Sequence, residues 1–247
     1  MRMRHLAAPL CLAGLISSMT GALAAPAQVL AAVNLRTGNL ECFDNTERRL
    51  TVDHFLASGA LPPGFPPVLI DGDFYWDGGV VSNTPLSHVL QSTPRRDSLV
   101  FQVDLWSAVG PVPDTMIGVA SRQKDIQYSS RTRLITDWME RAQSTRRLVR
   151  QLLDHLPAEE FGRTPWYQHA QAVACTKRYN VIHLIYAAKD HEGPGKDIQF
   201  GPSTMRDHWA SGLADIRESL SHPAWLAMPT DDSGFVTHDI HRHLHES

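Results

Sequence analysis

ASGALPPGFPPVLIDGDFYWDGGVVSNTPL, residues 57–86, is the stretch on which the architecture turns. Residues 61–67, with prolines at 62, 63, 66 and 67, cannot form a helix, because proline removes a donor and restricts the residue before it. Val68-Leu69-Ile70 and Phe74-Tyr75-Trp76 are β-formers on either side of Asp71-Gly72-Asp73, and Asp-Gly between such runs signals a tight hairpin. That hairpin delivers Asp77 to a strand end, ahead of Gly78 and Gly79, which permit close backbone approach or positive φ. The loop 80–85 follows, where Ser82 and Asn83 can bond neighbouring backbone. A carboxylate held on such a loop is suited to general-base work. The plain alternative is that Asp-Gly-Gly is only a turn.

Upstream, residues 28–33 read as a strand, Asn34 to Asn39 as a turn containing Gly38, and residues 40–43 as the returning strand. Residues 52–58 suit a short helix. Downstream, residues 99–105 form the continuous apolar run expected of a buried parallel strand. From about 114 to 156 the chain reads as one long helix or two, stopped by Pro157. Leu134, Ile135, Trp138, Ala142, Leu148, Val149, Leu152 and Leu156 recur there at helical steps. The other face is basic, with Arg122, Lys124, Arg131, Arg133, Arg141, Arg146, Arg147 and Arg150 opposed by Asp125, Asp137 and Glu140. A shorter helix over 166–177, an apolar strand over 179–188 and a helix over 203–220, with Ser203 as N-cap, complete the order. Strands alternating with helices place the chain in the α/β class.

The 247 residues carry 23 Lys+Arg against 26 Asp+Glu, a net charge of −3, with 43% hydrophobic and 20% charged residues. These values exclude a disordered chain, a collagen-like repeat and a disulfide-dense miniprotein, and leave room for one full core or two small ones. The near-neutral balance gives no reason to expect nucleic acid as a partner. Cys11, Cys42 and Cys175 match no metal spacing and read as small apolar residues.

At the N-terminus Arg2 and Arg4 precede a charge-free run from 6 to 35, rich in Leu and Ala over 6–23 and holding Ala22-Leu23-Ala24. This is the grammar of a secretory signal peptide cleaved near Ala25, implying an exported or periplasmic protein. The alternative is an apolar leader without a targeting role, on a cytoplasmic chain. Pro9, Ser17, Ser18 and Thr20 break the run too often for a lasting transmembrane helix.

The motifs A-S-x-A-L-P-P-x-F-P-P-V, I-D-G-x-x-Y-W-D-G-G and S-N-T-P-L together resemble the C-terminal part of the patatin-like phospholipase family, from about Gln28 onward. The segment 203–226, with F-Q-V-D-L-W-S-A and the basic helix, resembles the C-terminal extension of a bacterial subgroup. The resemblance implies an incomplete patatin-like three-layer α/β fold, a partial parallel sheet with a hairpin, then a mainly helical extension. With the apolar leader at 1–26, the chain divides into the hydrolase part at 27–110, the extension at 111–230 and a flexible His-rich tail at 231–247. The resemblance also implies a Ser–Asp dyad with Asp77 as general base and Gly78 and Gly79 as motif backbone. The substrate class is an acyl lipid or phospholipid ester, with no cofactor and no metal.

The sequence departs from that family in one respect. The nucleophile belongs in G-x-S-x-G, upstream of the aspartate, and none of the 76 residues before Asp77 spells it. Gly14 to Ser18 and Ser58-Gly59 have the wrong spacing. The chain alone is therefore expected to lack covalent catalysis and to represent the second half of a hydrolase. The alternative is a non-catalytic half-domain that binds a partner or a membrane.

Four other features carry less. His238, His241, His243 and His245 read as solvated rather than as a metal site. Residues 189–196, KDHEGPGK, lack the phosphate-loop pattern and read as a surface loop. Asp104, at a strand end, caps a turn or orients a catalytic group. The basic helix meets anionic headgroups, or is solvated or paired with acidic residues elsewhere.

Overall fold

The computed structural model describes residues 27–129, 132–186, 199 and 201–240. The leader with Cys11, the segment 189–196, Arg131 and the tail histidines His241, His243 and His245 lie outside the described residues. In chain order the first elements are β1 (Val29–Asn34), β2 (Leu40–Asp44), α1 (Val52–Ser58), β3 (Val68–Ile70), β4 (Asp73–Asp77), α2 (Leu86–Gln91), β5 (Ser98–Asp104) and α3 (Met116–Tyr128). There follow α4 (Thr132–Asp154), α5 (Ala158–Phe161), α6 (Pro165–Val173), β6 (Tyr179–Ile185), α7 (Pro202–Ser221) and β7 (Phe235–Asp239).

These elements form two compact units interleaved in sequence. One runs to Pro85 and resumes from Ala108 through α3; the other takes Leu86–Ser107 and the chain from α4 onward. Against the single boundary expected at 110, the chain crosses between the units three times, because the β5 region packs with the later strands.

In the first unit an antiparallel sheet has the order β2-β1-β4-β3. Asn34 Oδ1 accepts from the Arg36 and Thr37 amides at 2.9 and 3.2 Å, shaping the first turn. Asp71 and Gly72, at φ 50° and 93°, both occupy the left-handed region, the backbone that an Asp-Gly hairpin turn requires. Helix α1 opens with Thr51, whose amide donates to His54 Nδ1 at 3.0 Å. Its Ala57 joins Ala32, Phe43, Ile70 and Tyr75 in the core. Phe43 meets Tyr75 and His54 edge-on, with centroids 5.4 and 4.7 Å apart. The Tyr75 hydroxyl donates to Glu41 at 2.8 Å. On the opposite sheet face the cross-strand pair Leu69 and Phe74 is 56% and 51% exposed.

The second unit holds a parallel sheet, β5-β6-β7, with Asp104 opposite Ile185 and His183 opposite Asp239. Leu86 and Leu90 of α2, Met139 of α4, and Tyr179, Val181 and Phe235 of the sheet form its core. Central β6 is buried along nearly its whole length. By contrast β5, expected as a buried strand, pairs on one side and leaves Val103 52% exposed.

The basic helical stretch resolves into α3 and α4. Half of the apolar repeat of α4 faces outward, with Leu134, Trp138, Leu148 and Leu152 exposed, while Ile135 packs on the core. Thr132, Thr136, Met139, Gln143 and Leu153 face inward. Three of its arginines are used within the unit rather than left solvated. Arg133 Nε donates to Asp239 Oδ2 at 2.6 Å, Arg147 donates to the Asp232 and Thr176 carbonyls at 2.8 Å each, and Arg150 pairs with Asp154.

Three local expectations are corrected. The stretch expected as a flexible tail contains β7, because Phe235 fills the core and its backbone pairs with β6. Gly201, not Ser203, is the N-cap of α7, since Pro202 takes the first helical position. Helix α6 stops at Val173 because Ala174 turns extended, and the Cys175 amide donates to the Arg146 carbonyl at 3.3 Å. No helix among the described residues is long and apolar enough to cross a membrane.

Candidate active site

Asp77 ends β4, an inner strand of the first unit's sheet, opposite Ala32 of β1. Its amide donates to the Ala60 carbonyl at 3.1 Å, tying the strand end to the chain just past α1. A 3-10 turn, Gly78–Val80, follows at once. Asp77 Oδ1 accepts the Gly79 amide at 2.8 Å, so the carboxylate caps the turn it precedes. The Val81 and Ser82 amides both donate to the Gly78 carbonyl, at 3.0 and 2.8 Å.

Space, not positive φ, demands the two glycines; the left-handed glycines described are Gly38, Gly72 and Gly234. A Cβ on Gly78 would lie 2.7 Å from the Ala31 carbonyl oxygen of β1. At Gly79 it would lie 3.1 Å from Asp77 Oδ1 and 3.2 Å from Asn83 Oδ1. The Asn83 side chain thus closes on the same point as the carboxylate. Neither this nor the Ala60 contact was readable from the motif, since both depend on how the flanking loops fold back.

Burial raises the Asp77 carboxyl above its ordinary value, and the Gly79 amide partly offsets this. A carboxyl so shifted is a better proton acceptor when ionised than an exposed aspartate. Among the described residues no serine hydroxyl bonds to it. Ser58, at the end of α1, and Ser82, in the following loop, are not brought onto the carboxylate by any hydrogen bond.

The remaining candidates lie apart from this chemistry. Asp104, 1% exposed, accepts from the Trp106 amide at 3.0 Å and the Thr132 hydroxyl at 2.6 Å. It caps its strand end and anchors the start of α4. His238 lies in β7 and stacks on Trp225 with ring centroids 4.9 Å apart. Burial pushes its imidazole below the usual histidine value. Among the described residues no group of three or more His, Cys, Asp or Glu is arranged to hold a metal ion.

Residues 12–90 match the family model for patatin-like phospholipase, and residues 126–232 match one described as patatin phospholipase. The first match contains the whole Asp77 turn; it starts inside the apolar N-terminal run, ahead of the Gln28 start read from the motifs. The second covers α4 through α7. No curated protein matches the chain.

Proposed function

Because the chain belongs to the patatin-like phospholipase family and is lipid acyl hydrolase-like by that resemblance, we propose that Asp77 is the general base of a Ser–Asp ester hydrolase. In this scheme Asp77 takes the proton of a serine hydroxyl, whose oxygen attacks the ester carbonyl of an acyl lipid. The alcohol part of the ester leaves with a proton, and an acyl-serine remains. Water, deprotonated by the same carboxylate, then releases the fatty acid and restores the serine. The observation that carries this scheme is the capped turn at Asp77, where a half-buried carboxylate is held by the Gly79 amide and Gly78 packs too closely on β1 to bear a side chain.

The serine does not come from an elbow motif within these 247 residues, because no G-x-S-x-G occurs in them. The purified chain is accordingly expected to leave short-chain p-nitrophenyl esters at the background rate. Turnover abolished by Asp77→Asn would reveal a nucleophile within the chain and refute that part of the proposal.

The second functional reading is a non-catalytic module that binds a partner or a lipid surface; it is favoured by the lack of a serine hydroxyl on Asp77 among the described residues. Contact with an anionic bilayer through α4 belongs to it. Arg141 is exposed on the same helix as Trp138 and Leu148, so such contact combines apolar insertion with a cation. Co-sedimentation with phosphatidylglycerol vesicles, lost in Trp138→Ser, supports that contact; equal sedimentation of both proteins excludes it.

A further inference from the structure

At the amino edge of the parallel sheet, three polar side chains lack the partners that burial demands. Tyr179, the first residue of β6 and opposite Ser98 of β5, is 3% exposed, and its hydroxyl has no oxygen or nitrogen partner. Arg95, just ahead of β5, buries an unpartnered Nε, and Arg146 of α4 buries an unpartnered Nη1. The Cys175 thiol lies beside Tyr179, but sulfur is a weak partner. Burial pushes the Tyr179 hydroxyl up to about 12, although the charges of Arg95 and Arg146 both act on it in the opposite sense.

The surroundings are cationic as well. Arg96, Arg147, Lys177 and Arg178 adjoin these residues in sequence. The nearby carboxylate Asp97 is taken by Arg178, at 3.7 Å, with a second bond from the Arg178 amide at 2.9 Å. Arg147 spends its donors on backbone carbonyls. No carboxylate among the described residues pairs with Arg95 or Arg146. Gln143, 1% exposed, donates to the Lys177 carbonyl at 2.7 Å and leaves its own oxygen without a partner. One buried donor on each of two half-buried guanidinium groups and a buried phenol are left unmet, a cost that an acceptor joining them removes. An oxyanion is the acceptor that suits them, because guanidinium donors match its geometry and charge.

We propose that Arg95, Arg146 and Tyr179 form a binding site for a phosphate group at the amino edge of the parallel sheet. The group is either free phosphate or the phosphomonoester headgroup of a lipid. This site lies within the second unit and does not depend on the role given to Asp77.

The test is thermal melting of the full chain in inorganic phosphate, against sodium chloride of matched ionic strength. At about a hundred times its dissociation constant, phosphate should raise the midpoint by about 5 °C. Arg95→Gln, at a half-exposed position outside any helix or strand, should fold normally and lose the shift. Tyr179→Phe, which removes only the hydroxyl, should reduce it. Dihexanoyl phosphatidic acid serves as the second probe. A shift with both probes assigns the site to the phosphate group itself, and a shift with the lipid alone assigns it to the headgroup. No shift with either, or a shift that survives in Arg95→Gln, overturns the proposal.

Discussion

The Gly79 amide donates to Asp77 Oδ1 at 2.8 Å, so the carboxylate is positioned by the backbone of the turn that it caps. The contact holds the charged group in place without neutralising it. Burial still raises the Asp77 carboxyl from 3.8. Folding therefore favours the protonated form, and the folded state binds more protons than the unfolded one as pH rises above 3.8. Stability is lost across that window and stays lost at neutral pH.

Asp77→Asn should consequently raise the melting midpoint at pH 7, by about 2–4 °C, because it removes a half-buried charge while keeping the oxygen that accepts from Gly79. The gain should vanish below pH 3.8, where both states of the wild type are protonated. Melting curves of both proteins across this range decide it. A variant less stable than wild type at pH 7 contradicts the stated cause.

Gly78→Ala should destabilise the first unit by about 3 kcal/mol, since its Cβ would sit 2.7 Å from the Ala31 carbonyl oxygen, a backbone atom that cannot swing aside. Gly79→Ala, whose contacts are side-chain oxygens at 3.1 and 3.2 Å, should cost less. Urea titrations of the two variants give the order, and equal losses would remove the steric account of the motif.

The hairpin that positions Asp77 was legible because Asp71-Gly72 demands the left-handed backbone that the turn shows. The spatial reason for Gly78 was not, since it depends on β1 passing behind the turn. Helix α4 misled more deeply. Its period was correct, but periodicity does not say which face meets a sheet, and here Thr132, Thr136 and Gln143 go inward while Leu134 and Trp138 stay out. The inward choice follows partners far away in sequence, such as Asp104 and Lys177. Strand β7 was hidden by its His-rich surroundings, although Phe235 and Val236 are ordinary strand formers.

Arg133 and Asp239 tie α4 to β7, with the Asp239 side chain 1% exposed and His183 Nδ1 3.7 Å from the same oxygen. Arg133→Met strips the guanidinium from a buried carboxylate and should cost about 3–5 kcal/mol. Equilibrium unfolding measures it. A loss under about 1 kcal/mol, as for an exposed pair, would show that the pair is not a fastening.

The charge-free run ahead of β1 is proposed to be a cleaved export signal. N-terminal sequencing of protein from fractionated cells should find a start near Ala25 outside the cytoplasm. The family match beginning at residue 12 sharpens the question, because such cleavage removes the first part of the matched segment. An intact Met1 in the cytoplasmic fraction contradicts the proposal.

The most direct test of Asp77 as general base is complementation. The chain is co-expressed with a separate patatin-like segment that carries G-x-S-x-G and is inactive alone, and release of fatty acid from phosphatidylcholine vesicles is measured. The expected result is hydrolysis with the wild-type chain and a loss of at least about 100-fold with Asp77→Asn, although that variant is folded. Equal hydrolysis with the wild-type and Asp77→Asn chains would contradict the assignment.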